Sequence, residues 1–72
     1  MNITIGIPAF NEEKNIGKVI ISLKKIVNDI IVCDDGSTDL TKEIAEGLGA
    51  KVISHKKNMG YGEAIKSIFN EA

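Results

Sequence analysis

The chain has 72 residues, enough for one small domain, and a chain of this length buries only about 60% of its unfolded surface. Its formal net charge is −1 and its nine basic residues are all lysines, so a nucleic-acid partner is not expected. A single cysteine excludes an internal disulfide, and the apolar runs are too short for a membrane span. We therefore expect a cytoplasmic protein.

The first predicted element is a strand over residues 2–7, in which isoleucine occupies every second position from residue 3. Pro8 is predicted to end this strand, because proline has no backbone N–H to donate to a sheet. Asn11 then suits the N-cap of a helix, since its side-chain oxygen can accept from a free N–H of the first turn. The apolar positions of this helix are Ile16, Val19, Ile20, Leu23 and Ile26.

The most informative stretch is residues 30–39. Four apolar residues predict a buried strand, and this strand ends on Asp34 and Asp35. Gly36 permits a tight turn, and the Ser-Thr-Asp sequence that follows supplies oxygen acceptors suited to a helix start. Ligands of open parallel α/β sheets bind outside the carboxyl ends of the strands, where both aspartates would lie. On spacing alone, a solvated turn capped by Ser37 explains the pattern equally well.

The remaining elements repeat this order. Gly49 closes a second helix, a short third strand covers residues 50–54, and a loop rich in lysine and glycine covers residues 55–62. A third helix overlaps the end of this loop and runs to the end of the chain. The apolar positions of the second helix are Leu40, Ile44, Ala45 and Leu48, and those of the third are Tyr61, Ala64, Ile65, Ile68, Phe69 and Ala72.

This βαβαβα order predicts an α/β fold of three layers, with one domain over residues 1–72. Right-handed crossovers place the strands of the short parallel sheet in the order 3-2-1. The first strand then has no neighbour on its outer side. Because an unpaired strand edge is a template for another chain, we expect a homo-oligomer formed through residues 3–7.

Three loops are predicted to meet at the carboxyl edge of the sheet, at residues 8–13, 34–39 and 55–62. Carboxylates accept hydrogen bonds, so they suit the N3–H of uracil or the N1–H and N2–H of guanine. Phe10 can stack on a base, and Glu12 can accept from ribose hydroxyls. Glycine-rich backbone at the start of the third helix can approach a diphosphate with help from the helix dipole. The loops therefore suit a nucleoside diphosphate.

Several residues near this edge have simpler structural interpretations. Cys33 lies inside a predicted strand and is interpreted as an inert packing residue. His55 is interpreted as a lone loop histidine without a ligand partner. Met59 and Tyr61 are interpreted as packing residues, and Asp39 as a carboxylate at the start of the second helix.

Three segments of the chain, in this order and at this spacing, resemble the N-terminal part of family 2 glycosyltransferases. Within that family the likeness is nearest to enzymes that transfer a sugar to dolichol or polyprenol phosphate. The segments are residues 7–13 (IPAFNEE), 32–39 (VCDDGSTD) and 58–64 (NMGYGEA).

The resemblance implies the N-terminal half of a GT-A fold, a UDP- or GDP-sugar as donor, and a lipid-phosphate or glycan acceptor. The first loop would line the base and ribose pocket, with Phe10 where tyrosine is commoner. The two adjacent aspartates would contact the base, and the glycine loop would lie near the donor. The donor-binding positions implied by the resemblance are Pro8, Phe10, Glu12, Asp34, Asp35, Gly60 and Gly62.

The chain departs from the family in one respect. The family's Asp-Xaa-Asp motif, which binds the divalent metal on the diphosphate, does not occur in these 72 residues. The family's acceptor site and catalytic base are also expected beyond this point. We therefore expect a donor-binding fragment without catalytic or metal-binding residues, and Mg²⁺ or Mn²⁺ only in a full-length enzyme. The alternative is a non-catalytic nucleotide-binding or self-assembling module.

Two other α/β families with phosphate chemistry fit less well. A phosphoacceptor receiver domain needs an aspartate after its third strand, where this chain has Ser54 and His55. A dinucleotide-binding Rossmann unit needs Gly-Xaa-Gly-Xaa-Xaa-Gly after its first strand, where residues 8–11 read PAFN.

Overall fold

The fold was taken from a computed structural model, which describes residues 3–71 of the chain. Three strands and three helices alternate, as predicted. They are β1 (Thr4–Ala9), α1 (Ile16–Lys24), β2 (Asp29–Asp35), α2 (Thr41–Gly47), β3 (Lys51–His55) and α3 (Tyr61–Glu71). The predictions made for Asn2 and Ala72 lie outside the described residues.

The three strands form one parallel sheet in the order β1-β2-β3, which confirms the predicted order. Apart from Asp29, every residue of the central strand β2 is buried, as expected of a parallel strand covered on both faces. The register places Asp34 opposite both Ala9 and Ser54, and Asp35 opposite His55. Both aspartates therefore lie at the carboxyl edge of the sheet.

Helices cover the two faces of the sheet and complete the three layers. On one face, α1 and α2 pack over a core of apolar side chains from β1, β2 and both helices; on the other, α3 packs across β1 and β2. Gly6 makes this second contact possible, because a Cβ at that position would collide with Ile68 of α3. The core residues of the first face are Ala9, Ile16, Ile20, Ile30, Val32, Ala45 and Ala50.

Two predictions about the first crossover are wrong. β1 does not end at Pro8, which pairs with Cys33, and the strand continues to Ala9. An edge strand tolerates proline because part of its backbone N–H groups have no partner strand. Asn11 is not the N-cap of α1 either, since the helix begins at Ile16 with Asn15 in the cap position.

The apolar pattern predicted the helices but overestimated how much of each helix is covered. Met59 and Tyr61 are 51% and 72% exposed, so the packing role predicted for them is wrong, and Phe69, on the predicted apolar face of the third helix, is 77% exposed. Ala64 is the fully buried residue of α3. The sheet described here ends at β1, so no further strand covers the exposed apolar side chains of α3.

The second helix ends as its glycine predicted. Gly49 adopts a φ of 88° and donates to the carbonyl of Glu46, while Ala50 donates to the carbonyl of Ala45. This pair of bonds satisfies the last carbonyls of α2 and turns the chain into β3. Within residues 3–71, no helix has the length and apolar character needed to cross a membrane.

Candidate functional site

The carboxyl edge of the sheet carries three loops, residues 10–15, 36–40 and 56–60, each connecting a strand to the next helix. The first two are joined by hydrogen bonds from Asn11. Its backbone N–H donates to Ser37 Oγ at 2.8 Å, and its Oδ1 accepts from the backbone N–H of Thr38 at 2.8 Å. Asn11 has a φ of 51°, a conformation that asparagine adopts more readily than most residues. Asn11 therefore connects two loops instead of capping a helix.

A second set of hydrogen bonds joins the same two loops closer to the core. The backbone N–H of Glu12 donates to Oγ1 of the buried Thr41 at 2.8 Å, and that of Glu13 donates to Asp39 Oδ2 at 3.2 Å. In return, Glu13 Oε2 accepts from the backbone N–H of Leu40 at 3.2 Å. The first loop is thus fixed to the start of α2 by several independent bonds.

Asp39 lies at the start of α2, as predicted. Its Oδ1 accepts from the backbone N–H of Thr41 at 3.0 Å and from the Thr41 hydroxyl. Burial is the largest single influence on its pKa and raises it, but the hydrogen bonds from Thr41 and Glu13 outweigh burial and lower the pKa below its ordinary value. Asp39 therefore stabilises the helix start in its ionised form.

The third loop is held by Asp35. Asp35 is 4% exposed, and its Oδ1 accepts from the backbone N–H of Met59 at 2.9 Å while its Oδ2 accepts from that of Gly60 at 2.9 Å. His55 Nδ1 lies 2.7 Å from Oδ1. The hydrogen bond from His55, followed by that from Met59, holds the pKa of Asp35 below its ordinary value.

Gly36 brings the second and third loops together. It has a φ of 78°, and a Cβ at this position would collide with the backbone of Lys57 and Asn58. Only glycine combines this conformation with so close an approach. The turn after the two aspartates therefore requires the glycine that the sequence places there.

The side chains of Asp34 and Asp35 lie on opposite faces of the sheet, because successive residues of a strand alternate. Asp34 shares the α1–α2 face with Val32 and is 4% exposed. Within residues 3–71, its Oδ1 is buried without a hydrogen-bond partner. A buried acceptor without a donor is costly, so Asp34 Oδ1 is a candidate acceptor for a ligand N–H.

All seven donor-binding residues inferred from the sequence lie on or beside this edge. Phe10 is 44% exposed and Glu12 is exposed, whereas Pro8 is half-buried in β1. Gly60 is hydrogen-bonded to Asp35, and Gly62 lies in the first turn of α3. The structure thus connects the second and third loops through Asp35 and Gly60, and the first and second loops through separate bonds.

The interpretation of His55 as a lone loop histidine is wrong. β3 extends one residue further than predicted, so His55 is its last residue and lies opposite Asp35. Its side chain is 12% exposed. Its Nε2 lies 2.8 Å from Ser67 Oγ of α3 and 3.8 Å from Cys33 Sγ. The register of two parallel strands, which end on acidic and imidazole side chains, was the signal that could have revealed this contact.

Cys33 is a packing residue, as predicted. Its side chain is fully buried and forms no disulfide. Burial, followed by the charges of Asp35 and Asp34, raises the pKa of the thiol above its ordinary value. The thiol therefore stays protonated at neutral pH.

A divalent metal ion needs several ligand atoms placed close together. Within residues 3–71, no group of three or more histidine, cysteine, aspartate or glutamate side chains is placed to hold a metal ion. The two adjacent aspartates lie on opposite faces of the sheet, so they cannot serve as a joint pair of ligands. The donor set described here does not fit a divalent cation.

A parallel α/β sheet with an acidic carboxyl edge and a glycine loop at a helix start is typical of a nucleotide-binding protein. Residues 4–72 match the family model described as glycosyl transferase family 2. The chain belongs to this family.

Relatives with named activities agree with the family model. A dolichyl-phosphate hexose transferase of Haloferax volcanii is 37% identical over 68 residues, which span 92% of this chain and 29% of that protein. The glucosyl-3-phosphoglycerate synthase of Mycolicibacterium smegmatis is 40% identical over 58 residues, covering 75% of this chain and 19% of the relative. The chain thus spans less than a third of the length of these relatives.

Solved structures confirm the fold. The crystal structure of glucosyl-3-phosphoglycerate synthase from Mycobacterium tuberculosis in complex with Mn²⁺ and UDP-glucose matches with a TM-score of 0.86 and 34% sequence identity. The match covers 99% of this chain and 29% of that one. The predicted GT-A-type α/β fold and the predicted family are therefore confirmed.

Proposed function

We propose that the chain is the part of a family 2 glycosyltransferase that binds the nucleotide-sugar donor, a UDP- or GDP-sugar. The observation that carries this proposal is the position of Asp34 and Asp35, two buried carboxylates at the carboxyl edge of a parallel sheet. The likeness to an enzyme whose structure contains UDP-glucose supports the same ligand class.

Each aspartate, on its own face of the sheet, offers an acceptor that a base could use. Asp35 accepts three hydrogen bonds within the protein, and a carboxylate has about four acceptor positions. Asp35 thus retains one acceptor position, and Asp34 Oδ1 has no partner in the described part of the chain. Uracil and guanine present ring N–H donors to such acceptors, whereas adenine and cytosine present ring acceptors. We propose that the acidic edge selects UDP or GDP on this basis.

The remaining donor contacts come from the first and third loops. Phe10 offers an exposed ring to the base beside the half-buried Pro8, and Glu12 offers an exposed carboxylate to the ribose hydroxyls. Apart from the local backbone, no atom of the described chain lies within 4 Å of where a Cβ would stand on Gly60 or Gly62. This open space at the N-terminus of α3 leaves room for a diphosphate to approach the backbone.

Base selection is tested by titrating the chain with UDP, GDP, ADP and CDP. We expect UDP or GDP to bind more tightly than ADP and CDP, and Asp34→Asn to weaken binding about tenfold. Asp29→Asn is the matched control, because Asp29 pairs with Thr4 at the opposite end of β2. Equal affinity for all four nucleotides, or an equal effect of both substitutions, contradicts the proposal.

The acceptor and the metal belong to the wider proposal. The likeness to a dolichyl-phosphate hexose transferase supports a lipid-phosphate acceptor for the full-length enzyme. The donor set described above does not fit a divalent cation, so we propose that other parts of that enzyme bind Mg²⁺ or Mn²⁺. A cytoplasmic location is proposed from the free cysteine, which suits a reducing compartment.

We expect the 72-residue chain alone to transfer no sugar, because its sequence lacks the Asp-Xaa-Asp motif. The measurement is product formation from UDP-glucose with Mn²⁺ and a polyprenol phosphate, using a full-length relative as the positive control. Transfer above background by the purified chain contradicts this expectation.

A second candidate function is a self-assembling, non-catalytic module. The observation that favours it is the outer edge of β1, which has no partner strand among residues 3–71. Assembly through this edge predicts a mass above that of the monomer in light scattering. A Thr4→Pro substitution at the edge should reduce that mass, and a monomer at high concentration counts against the module.

A further inference from the structure

His55 connects three elements of the fold. It is the last residue of β3, it hydrogen-bonds Asp35 at the end of β2, and it hydrogen-bonds Ser67 in the middle of α3. A carboxylate can only accept, so Nδ1 of His55 carries the proton of the first bond. In the neutral ring Nε2 then accepts the proton of the Ser67 hydroxyl.

The order serine, histidine, aspartate is also that of a hydrolytic triad. Ser67 lies in the interior of α3, where the backbone N–H groups are used in the hydrogen bonds of the helix. A nucleophile needs N–H donors directed at the developing oxyanion, and the middle of a helix does not provide them. The geometry therefore favours a role for His55 and Ser67 in positioning other groups over a role for Ser67 as a nucleophile.

The contacts of Asp35 show what is positioned. The same carboxylate that accepts from His55 also accepts from the backbone N–H groups of Met59 and Gly60. These two residues lie immediately before α3, and Gly60 adopts a φ of 95°. The orientation of one buried carboxylate thus sets the backbone of the third loop at the point where the diphosphate is proposed to bind.

We propose that His55 is a positioning residue for the nucleotide-sugar donor, and this inference rests on the proposed function. His55, held by Ser67, fixes the Asp35 carboxylate in the orientation that binds the Met59 and Gly60 amides. The third loop is then preformed before the donor arrives, so that less ordering entropy is lost on binding.

The test combines nucleotide affinity with amide hydrogen exchange in His55→Ala, His55→Asn and Ser67→Ala. We expect His55→Ala to weaken UDP or GDP binding about tenfold, or about 1.4 kcal/mol, and to lose exchange protection at Met59 and Gly60. Asparagine places an N–H donor near the position of Nδ1, so His55→Asn should recover part of the nucleotide affinity and part of the exchange protection. Ser67→Ala should produce a smaller change of the same kind, about two- to threefold.

Ser22→Ala is the matched control, because Ser22 is an exposed helical serine in α1. Protection of the Val32 amide in the buried strand shows that each variant is folded. If His55→Ala binds nucleotide as tightly as the unaltered chain, or if asparagine restores nothing, the inference is overturned. Labelling of Ser67 by a fluorophosphonate would overturn it in favour of a hydrolase.

Failure of the proposed function gives a different pattern. In that case the unaltered chain binds neither UDP nor GDP, and the donor role of His55 falls with the proposal. If the unaltered chain binds UDP or GDP and the His55 variants bind the same nucleotide as tightly, only the inference about His55 fails. Ser67→Ala, which removes one hydroxyl from a half-buried site, keeps the test valid if His55→Ala does not fold.

Discussion

The two loop junctions at the carboxyl edge are built differently. At the first junction, six hydrogen bonds join residues 11–13 to residues 37–41; five are donated by backbone N–H groups and one by the Thr38 hydroxyl, and side chains accept all of them. At the second junction, the third loop is joined to the end of β2 through one carboxylate, Asp35, and it lies against the second loop at one close approach, Gly36. Redundant bonds tolerate the loss of one partner, whereas a single carboxylate does not. We therefore expect changes at the second junction to have the larger consequences.

Gly36→Ala should have the largest effect on stability. The substitution places a Cβ against the backbone of the third loop and forces alanine into a left-handed conformation, which by itself costs about 1–2 kcal/mol. We expect the free energy of unfolding to fall by more than about 2 kcal/mol in urea denaturation.

Gly47→Ala is the control for this change. Gly47 lies in α2, and beyond the backbone of its own helix no described atom lies within 4 Å of where its Cβ would stand. Alanine should therefore be neutral there or stabilising by up to about 1 kcal/mol. Equal destabilisation by both substitutions contradicts the close approach of the second and third loops.

Thr41→Val tests the redundant junction. Valine keeps the volume of the buried side chain but removes the acceptor for the Glu12 amide and the donor to Asp39. We expect a loss of about 1 kcal/mol, with little change in nucleotide affinity, because the bonds of Asn11 still join the loops. Thr38→Val, which removes only the long, exposed bond from the Thr38 hydroxyl to Asn11 Oδ1 at 3.4 Å, should change stability by less than about 0.5 kcal/mol. A tenfold loss of affinity in Thr41→Val would show that the first junction is not redundant.

The sequence predicted most of what periodicity and topology control. The strand of residues 30–35 and the three helices follow from local apolar patterns, and the meeting of three loops follows from parallel strands. Which apolar side chains of the helices are buried was predicted less well. Periodicity identifies the apolar face of α3, and topology places β1 at the edge of the sheet, but neither shows how much of that face the sheet covers, and Phe69 is left exposed.

The contacts within the site depend on details that a local pattern does not contain. A shift of one residue in β3 decides whether His55 lies in a loop or beside Asp35. Similarly, Asn11 joins two loops only because its φ of 51° directs both its N–H and its side chain towards the second loop. Strand ends and single dihedral angles are set by tertiary packing, so sequence reasoning predicted which loops meet but not the hydrogen bonds between them.

Acid should weaken the second junction. The pKa of Asp35 is lowered in the folded chain by His55 and by the Met59 amide, so the ionised carboxylate favours folding. Its contribution is complete above the ordinary pKa of 3.8 and is lost as the pH falls through the lower, folded value. The charged or titratable groups beside it are His55 on β3, and Asp34 and Cys33 on β2.

The measurement is the free energy of unfolding across the acidic range, compared between the unaltered chain and Asp35→Asn. We expect a smaller loss of stability in the variant below the ordinary pKa, because it has no proton to gain at this position. Asp39→Asn is the companion variant for the first junction, since the pKa of Asp39 is also lowered. Identical slopes in the unaltered chain and in Asp35→Asn contradict the role of the ionised carboxylate.

The smallest effect is expected at the far end of α3, where Lys51 forms an ion pair with Glu71. The hydrogen bond and charge of Glu71 raise the pKa of Lys51, but the two side chains are 60% and 37% exposed, so water and salt screen the pair. We expect Lys51→Ala to change the Tm only slightly and a double-mutant cycle with Glu71→Ala to show weak coupling that disappears in high salt. Strong coupling would mean that α3 is held at both ends. The weak coupling expected here leaves the bond between His55 and Ser67, with the bonds from the Met59 and Gly60 amides to Asp35, as the main polar attachment of this helix among the described residues, which is why a change at His55 should reach the donor loop.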